Sequence, residues 1–303
     1  MSLTKLQQDI RQLLKEKKAI LLAHYYQRDE IQEIADILGD SLALSMEAAR
    51  TNAEVLIFAG VHFMAESASI LSPGKTVLLP RPDAGCPLAD MITPEALGAA
   101  KKEHPGAAVV TYINSSAAIK AMSDVCCTSA NAVKVIRSLG DVKEILMIPD
   151  GNLARYVAGQ TDRKIIPWEG YCPVHHFLSA EQVRRTKEKH PRATFAAHPE
   201  CRQEVLRLAD YVGSTTGIIR YAGEEHVREM IVGTEHGIFY QLRKQYPEKI
   251  FIPASDQMTC EDMKKITLAD IKTALTEMKN VVKVPEDVRI PAKKALERML
   301  AIS

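Results

Sequence analysis

The chain repeats itself three times at a spacing close to ninety residues, and this limits its possible folds more than any other feature. The segments KEHPGAAVVTYIN (102–114) and KEKHPRATFAAHPE (187–200) align, with His104-Pro105 and His190-Pro191 86 residues apart. KKAILLAHYYQ (17–27) is a looser third copy. Each copy leads through a helical stretch into a short acidic-to-hydroxyl segment: IADILGDS (34–41), MSDVCCTS (122–129) and LADYVGST (208–215). Asp36, Asp124 and Asp210 stand 88 and 86 residues apart, and the sets Ser41, Ser129, Thr215 and His24, Tyr112, His198 keep the same separations. Several matches in one register point to three homologous αβ units.

Within that frame, short β-like runs at 19–23, 55–59, 108–113, 145–148, 194–197, 230–233 and 250–252 alternate with helical patterns. TPEALGAAKKEH opens with Thr93 as N-cap and Pro94 at the first helical position, and SAEQVRRTKEKH pairs Ser179 with Gln182 as a capping box. Strand–helix alternation with near-continuous apolar strands predicts parallel sheets covered by helices on both faces.

The cysteines share the repeat. Cys86 in DAGCPLAD, Cys172 in EGYCPVHH and Cys260 in DQMTCEDM are 86 and 88 residues apart, each after a strand-and-proline pattern. Three units around an approximate threefold axis would bring these loops together. Three lone thiolates suit a zinc ion with His175 or His176 as fourth ligand, or a four-iron cubane with one iron left open as a Lewis acid. Zinc sites usually draw cysteines in close pairs, which are missing here, and three scattered buried cysteines are the remaining alternative. Cys126, Cys127 and Cys201 fall outside the repeat and read as small apolar or helix-start residues.

Two further constellations recur. His24-Tyr25-Tyr26, Tyr112-Ile113-Asn114 and His198-Pro199-Glu200 follow strands, where open α/β sheets place ligand contacts. They supply His24, Tyr26, Tyr112, His198 and Glu200 as candidate acids and bases, with a purely structural role the alternative for each. Ser41, Ser129 and Thr215 precede helical runs, so they can bind anions at helix N-termini or simply cap them. His62 and His236 are supporting groups at most, and Trp168 is a packing residue.

The 303 residues carry 39 Lys+Arg against 38 Asp+Glu, a net charge of +1, which argues against nucleic acid or an anionic membrane as partner. The apolar runs are far shorter than the roughly 20 residues of a membrane span. MSLTKLQQDIRQLLKEKK reads as a charged amphipathic helix without a signal-peptide core. A cytoplasmic location is expected, with the six cysteines as thiols or metal ligands rather than disulfides.

With LAHYYQ, IADILGDSL, AGVHFMAE, GCPLAD, TYINSSAAIKAMSD, CTSANAV, PDGNLA, YCPVHHF, HPEC, DYVGST and GTEHGI in order from about residue 20 to 260, the sequence resembles the quinolinate synthase family. The resemblance implies an α/β fold of three pseudo-threefold αβα sandwich domains with parallel sheets and an active site at their central interface. The units would be 1–85, 86–171 and 172–260, with 261–303 a helical tail packing on the first. It implies condensation of iminoaspartate with dihydroxyacetone phosphate to quinolinate, phosphate and water in de novo NAD biosynthesis. A 4Fe-4S cluster would be held by Cys86, Cys172 and Cys260.

Carried over residue by residue, the substrate-contacting positions are His24, Tyr26, Ser41, Tyr112, Asn114, Ser129, His198, Glu200 and Thr215. Tyr26 rather than Tyr25 takes the catalytic tyrosine position, and the repeat register favours Thr215 over Thr216. Some members carry a C-x2-C-x2-C run at the last cysteine; MTCEDMKKI keeps only Cys260, so a disulfide switch there cannot operate. The enzyme that makes iminoaspartate is an expected transient partner. Competing classes are a zinc-dependent hydrolase on the same cysteines and a non-catalytic iron–sulfur redox sensor.

Overall fold

Four strands form in each third of the chain. The first third has β1 (Ala19–His24), β2 (Ile37–Gly39), β3 (Val55–Ala59) and β4 (Thr76–Leu78). The second has β5 (Ala108–Tyr112), β6 (Val125–Cys127), β7 (Glu144–Ile148) and β8 (Lys164–Pro167). The third has β9 (Thr194–Ala197), β10 (Tyr211–Val212), β11 (Glu229–Gly233) and β12 (Ile250–Pro253). Each quartet makes one sheet in the same order: β2-β1-β3-β4, β6-β5-β7-β8 and β10-β9-β11-β12. All pairings within them are parallel. These are the three αβα units of the repeat, seen in a computed structural model that describes residues 4–302. Residues 1–3 of the expected first unit and residue 303 of the expected tail lie outside the described residues.

The central strands are apolar through most of their length because helices cover both faces; every residue of β3 is buried. The edge strands β2, β6 and β10 are different, being only 3, 3 and 2 residues long. What sets them is the repeated aspartate. The carboxylate of Asp36 accepts the Leu21 N–H at 2.8 Å, that of Asp124 the Val109 N–H at 2.7 Å, and that of Asp210 the Phe195 N–H at 2.7 Å. The backbone N–H groups of the same aspartates donate back to the carbonyls of Leu21, Val109 and Phe195. Each aspartate is a two-bond clip that starts an edge strand in register, a structural duty repeated three times.

Local signals act as expected at two helices. Thr93 caps Pro94–Glu103 by accepting from Ala96 N, and Ser179 and Gln182 form a reciprocal capping box on Ala180–Lys189. The tail divides its contacts between two units. Residues 280–282 run along β4, with Val282 N donating to Val77 O, and Leu268–Glu277 packs on Lys5–Glu16 of the first unit. The last helix, Glu286–Ile302, packs mainly against Ala117–Ala121 and β6 of the second unit, and also touches His62–Leu71 of the first. Among the described residues no helix is long and apolar enough to cross a membrane.

Candidate active site

The loop after each fourth strand carries a cysteine that begins a single helical turn. The carbonyls of Cys86, Cys172 and Cys260 accept the N–H groups of Asp90, His176 and Lys264 respectively, four residues on. Two of the three turns are fixed from behind by buried carboxylates. Asp150 Oδ2 accepts the Cys172 N–H at 3.2 Å, and Glu235 Oε1 accepts the Cys260 N–H at 3.1 Å. Lys264 Nζ neutralises Glu235 at 2.9 Å. All three cysteines line one cavity where the units meet.

Burial pushes the Cys86 and Cys172 thiols well above the usual range and Cys260 up to about 11. The three thiols lie near enough to raise one another. Three thiolates on one tetrahedral zinc would stand about 3.8 Å apart. Among the described residues the one trio of donor atoms all within 4.8 Å of one another is that of Cys172, His175 and Glu200, so the three sulfurs are spread more widely than a single ion requires. His176 faces elsewhere, with Nδ1 3.0 Å from Asn152 Nδ2 and its ring stacked on Tyr171. The donors converge on a site for a metal cofactor.

The strand-end residues form the rest of the wall: His24, Tyr26, Tyr112, Asn114, His198 and Glu200 all line the cavity. Glu200 is the hub, its Oε2 2.6 Å from His175 Nδ1 and 3.5 Å from His198 Nδ1. The His175 and His198 rings stack at 4.6 Å. Burial opposes ionisation of Glu200, yet His198 and His175 hold it down to about 2. Burial and the charge of Glu200 push Asp150 the other way, well above the ordinary carboxylate range. Desolvation lowers His24 and His198 to about 3, and it raises Tyr26 and Tyr112 far above the usual phenol range. At neutral pH the cavity therefore holds the carboxylate of Glu200, the neutral imidazoles of His24 and His198, and the neutral phenols of Tyr26 and Tyr112.

That inventory has a measurable consequence. His24 and His198 bind protons below about pH 6.5 when unfolded but only near pH 3 when folded, so stability is full above the first value and falls between them. Two such groups give a slope of about 2.7 kcal/mol per pH unit at most. Denaturant unfolding of the metal-free protein at pH 7 and pH 5 is expected to differ by about 2–4 kcal/mol, with the acid sample weaker. Equal stabilities would mean that these histidines charge inside the fold or that proton uptake by Asp150, whose raised pKa acts with the opposite sign, offsets them.

The repeated hydroxyls are not the helix caps. Asp40 caps Ser41–Arg50 by accepting from Ala43 N, and Ser214 caps Thr215–Ala222 by accepting from Gly217 N. Ser41 and Thr215 thus occupy the first helical position, while Ser129 lies before Ala132–Arg137 with Oγ 3.1 Å from His198 Nε2. Relieved of capping, all three hydroxyls line the cavity. Thr216 is exposed and borders a surface recess instead. Two buried oxygens in the wall, Glu200 Oε1 and Asn114 Oδ1, have no hydrogen-bond partner in the protein, the state of atoms that await a ligand.

The remaining sequence candidates lie apart. His62 is half-exposed with Nδ1 3.9 Å from Glu66, His236 bonds Ser255 O and Thr259, and Trp168 donates to Met91 O. All six cysteines are free, and Cys126, Cys127 and Cys201 are fully buried. Sequence reasoning missed Asp150, Glu235 and Thr234. The first two follow their strand ends by two residues, but Val61 occupies the matching place in the first unit and hides the pattern.

Comparison with known proteins adds an independent line. Residues 8–301 match the quinolinate synthetase A protein family. The chain is 58% identical over 297 residues to a quinolinate synthase of Geobacter metallireducens, covering 98% of this chain and 97% of that one. It is 59% identical over 294 residues to a quinolinate synthase of Geotalea uraniireducens, covering 97% and 96%. Quinolinate synthase 1 of Methanosarcina acetivorans is 56% identical over 293 residues, again covering 97% and 96%.

Proposed function

Because the chain belongs to the quinolinate synthetase A family, we propose that its central cavity condenses iminoaspartate with dihydroxyacetone phosphate around a 4Fe-4S cluster held by Cys86, Cys172 and Cys260. The chain is an enzyme, and its product is quinolinate for NAD biosynthesis. The observation that supports the finer reading is the convergence, in one cavity, of three unpaired cysteines from equivalent loops with the polar groups of all three units. Three thiols offered singly by equivalent loops suit a polynuclear group. When bound, such a cluster supplies Lewis acidity at its one iron without a cysteine, which favours loss of hydroxyl as water.

The protein's own residues divide the remaining work. Iminoaspartate brings two carboxylates and the triose a phosphate, and Ser41, Ser129 and Thr215 with their adjacent backbone N–H groups are suited to hold such anions. Glu200, ionised and with Oε1 unpartnered, is placed to take a proton. Tyr26 and Tyr112 stay neutral and orient the substrate through their hydroxyls, Asn114 offers a free carbonyl oxygen, and His24 and His198 act as neutral hydrogen-bonding groups. Units 1–85, 86–171 and 172–260, a cytoplasmic location and a passing encounter with the iminoaspartate-producing enzyme belong to the same reading.

Anaerobic purification tests the cofactor. About four irons and four sulfides per chain, with a brown colour, are expected. Quinolinate should form from the two named substrates. One colourless zinc per chain would favour a hydrolase built on Cys172, His175 and Glu200, and a cluster without turnover would leave a redox sensor.

A further inference from the structure

Thr234 follows β11 directly, is fully buried, and does not line the cavity. Its hydroxyl nevertheless lies in the middle of a chain of short buried polar contacts. Thr234 Oγ1 is 2.6 Å from Tyr26 Oη and 2.9 Å from His175 Nε2. His175 Nδ1 is 2.6 Å from Glu200 Oε2, and Tyr26 Oη is 2.8 Å from Thr215 Oγ1. The chain runs from the loop after β1 to the end of β11 and on to the cysteine turn after β8.

The Thr234 hydroxyl can donate one hydrogen bond and accept two, so it can bind both neighbours at once. We propose that Thr234 is a positioning residue that, by bridging Tyr26 Oη and His175 Nε2, fixes the orientation of the Tyr26 hydroxyl and with it the hydrogen bond that Tyr26 offers the substrate. This assignment rests on the reading of Tyr26 as a substrate-contacting residue. Thr215 Oγ1 meets the same phenol at 2.8 Å, so the Tyr26 hydroxyl is held from two sides.

Two substitutions separate positioning from packing. Thr234→Val keeps the volume and deletes the hydroxyl; Thr234→Ser keeps the hydroxyl and leaves a methyl-sized hole. A packing role ranks valine above serine, and the proposed role ranks serine above valine. For quinolinate formation, Thr234→Val should lower kcat about 100-fold with KM changed less than about threefold, while Thr234→Ser stays within about threefold of the parent. In a Tyr26→Phe background, Thr234→Val should add no further loss. A second readout needs no turnover: the short-bonded Tyr26 hydroxyl proton should give a downfield NMR signal that Tyr26→Phe and Thr234→Val remove and Thr234→Ser retains. Thermal transitions establish that each variant folds. Thr234→Val at parental activity, or Thr234→Ser as impaired as valine, overturns the role. If the parent makes no quinolinate, the reading of the reaction fails and the hydroxyl signal alone decides Thr234.

Discussion

Cys86→Ala is expected to lose its iron and sulfide and at least about 10³-fold of quinolinate synthesis. The reason lies in how the thiols are held. Each sits at the start of a helical turn that follows the last strand of a different sheet, in surroundings that push its pKa upward. A thiolate there is stable only when a cation shares the pocket, so metal binding and deprotonation are one event. Deleting one of three donors leaves a cluster with two, and no other cysteine lines the cavity to replace it. Because the three donors follow three different sheets, a cluster held by them would tie those sheets together, and the alanine variant should unfold at lower denaturant than the loaded parent. Cys126→Ala and Cys201→Ala are the controls. Both thiols are fully buried and neither lines the cavity. Those variants should keep their iron and lose only about 1 kcal/mol of stability. Full iron content in Cys86→Ala, or its loss in Cys126→Ala, would refute the assignment of ligands.

The architecture was legible because the repeat is written in side chains that the backbone needs. Asp36, Asp124 and Asp210 recur because each must clip an edge strand to its neighbour, and the cysteines recur because each turn is built alike. The edge strands themselves could not be read, since two or three residues show no hydrophobic period. The hydroxyls were legible as positions and ambiguous as roles. Ser41 looked as capable of capping as Asp40 beside it, and only the backbone decides which side chain turns back onto the helix. Thr234 was out of reach for a different reason. A threonine after a strand is unremarkable until three chain segments far apart in sequence place a phenol, an imidazole and a carboxylate around it. Repeats reveal what symmetry demands; a catalytic site is where the three copies stop being equivalent, as His24, Tyr112 and His198 already suggest.

Glu200→Gln probes that broken symmetry most directly. The substitution keeps the shape of the side chain and removes its charge. On the proposed role of Glu200 as proton acceptor, kcat should fall about 10²–10⁴-fold while KM moves little, since the anion-holding hydroxyls are untouched. The cluster spectrum should persist, because the three cysteines do not depend on this side chain for their turns. The amide also alters its neighbours in a predictable way. With the charge of Glu200 gone, Asp150 loses a main cause of its raised pKa and ionises more readily. His198 loses the one charge that raises its pKa and becomes still harder to protonate. A variant with parental kcat would move the base to another group on the cavity wall. A variant that lost its iron would instead make Glu200 a ligand alongside Cys172 and His175, among the described residues the one trio close enough to share a single ion.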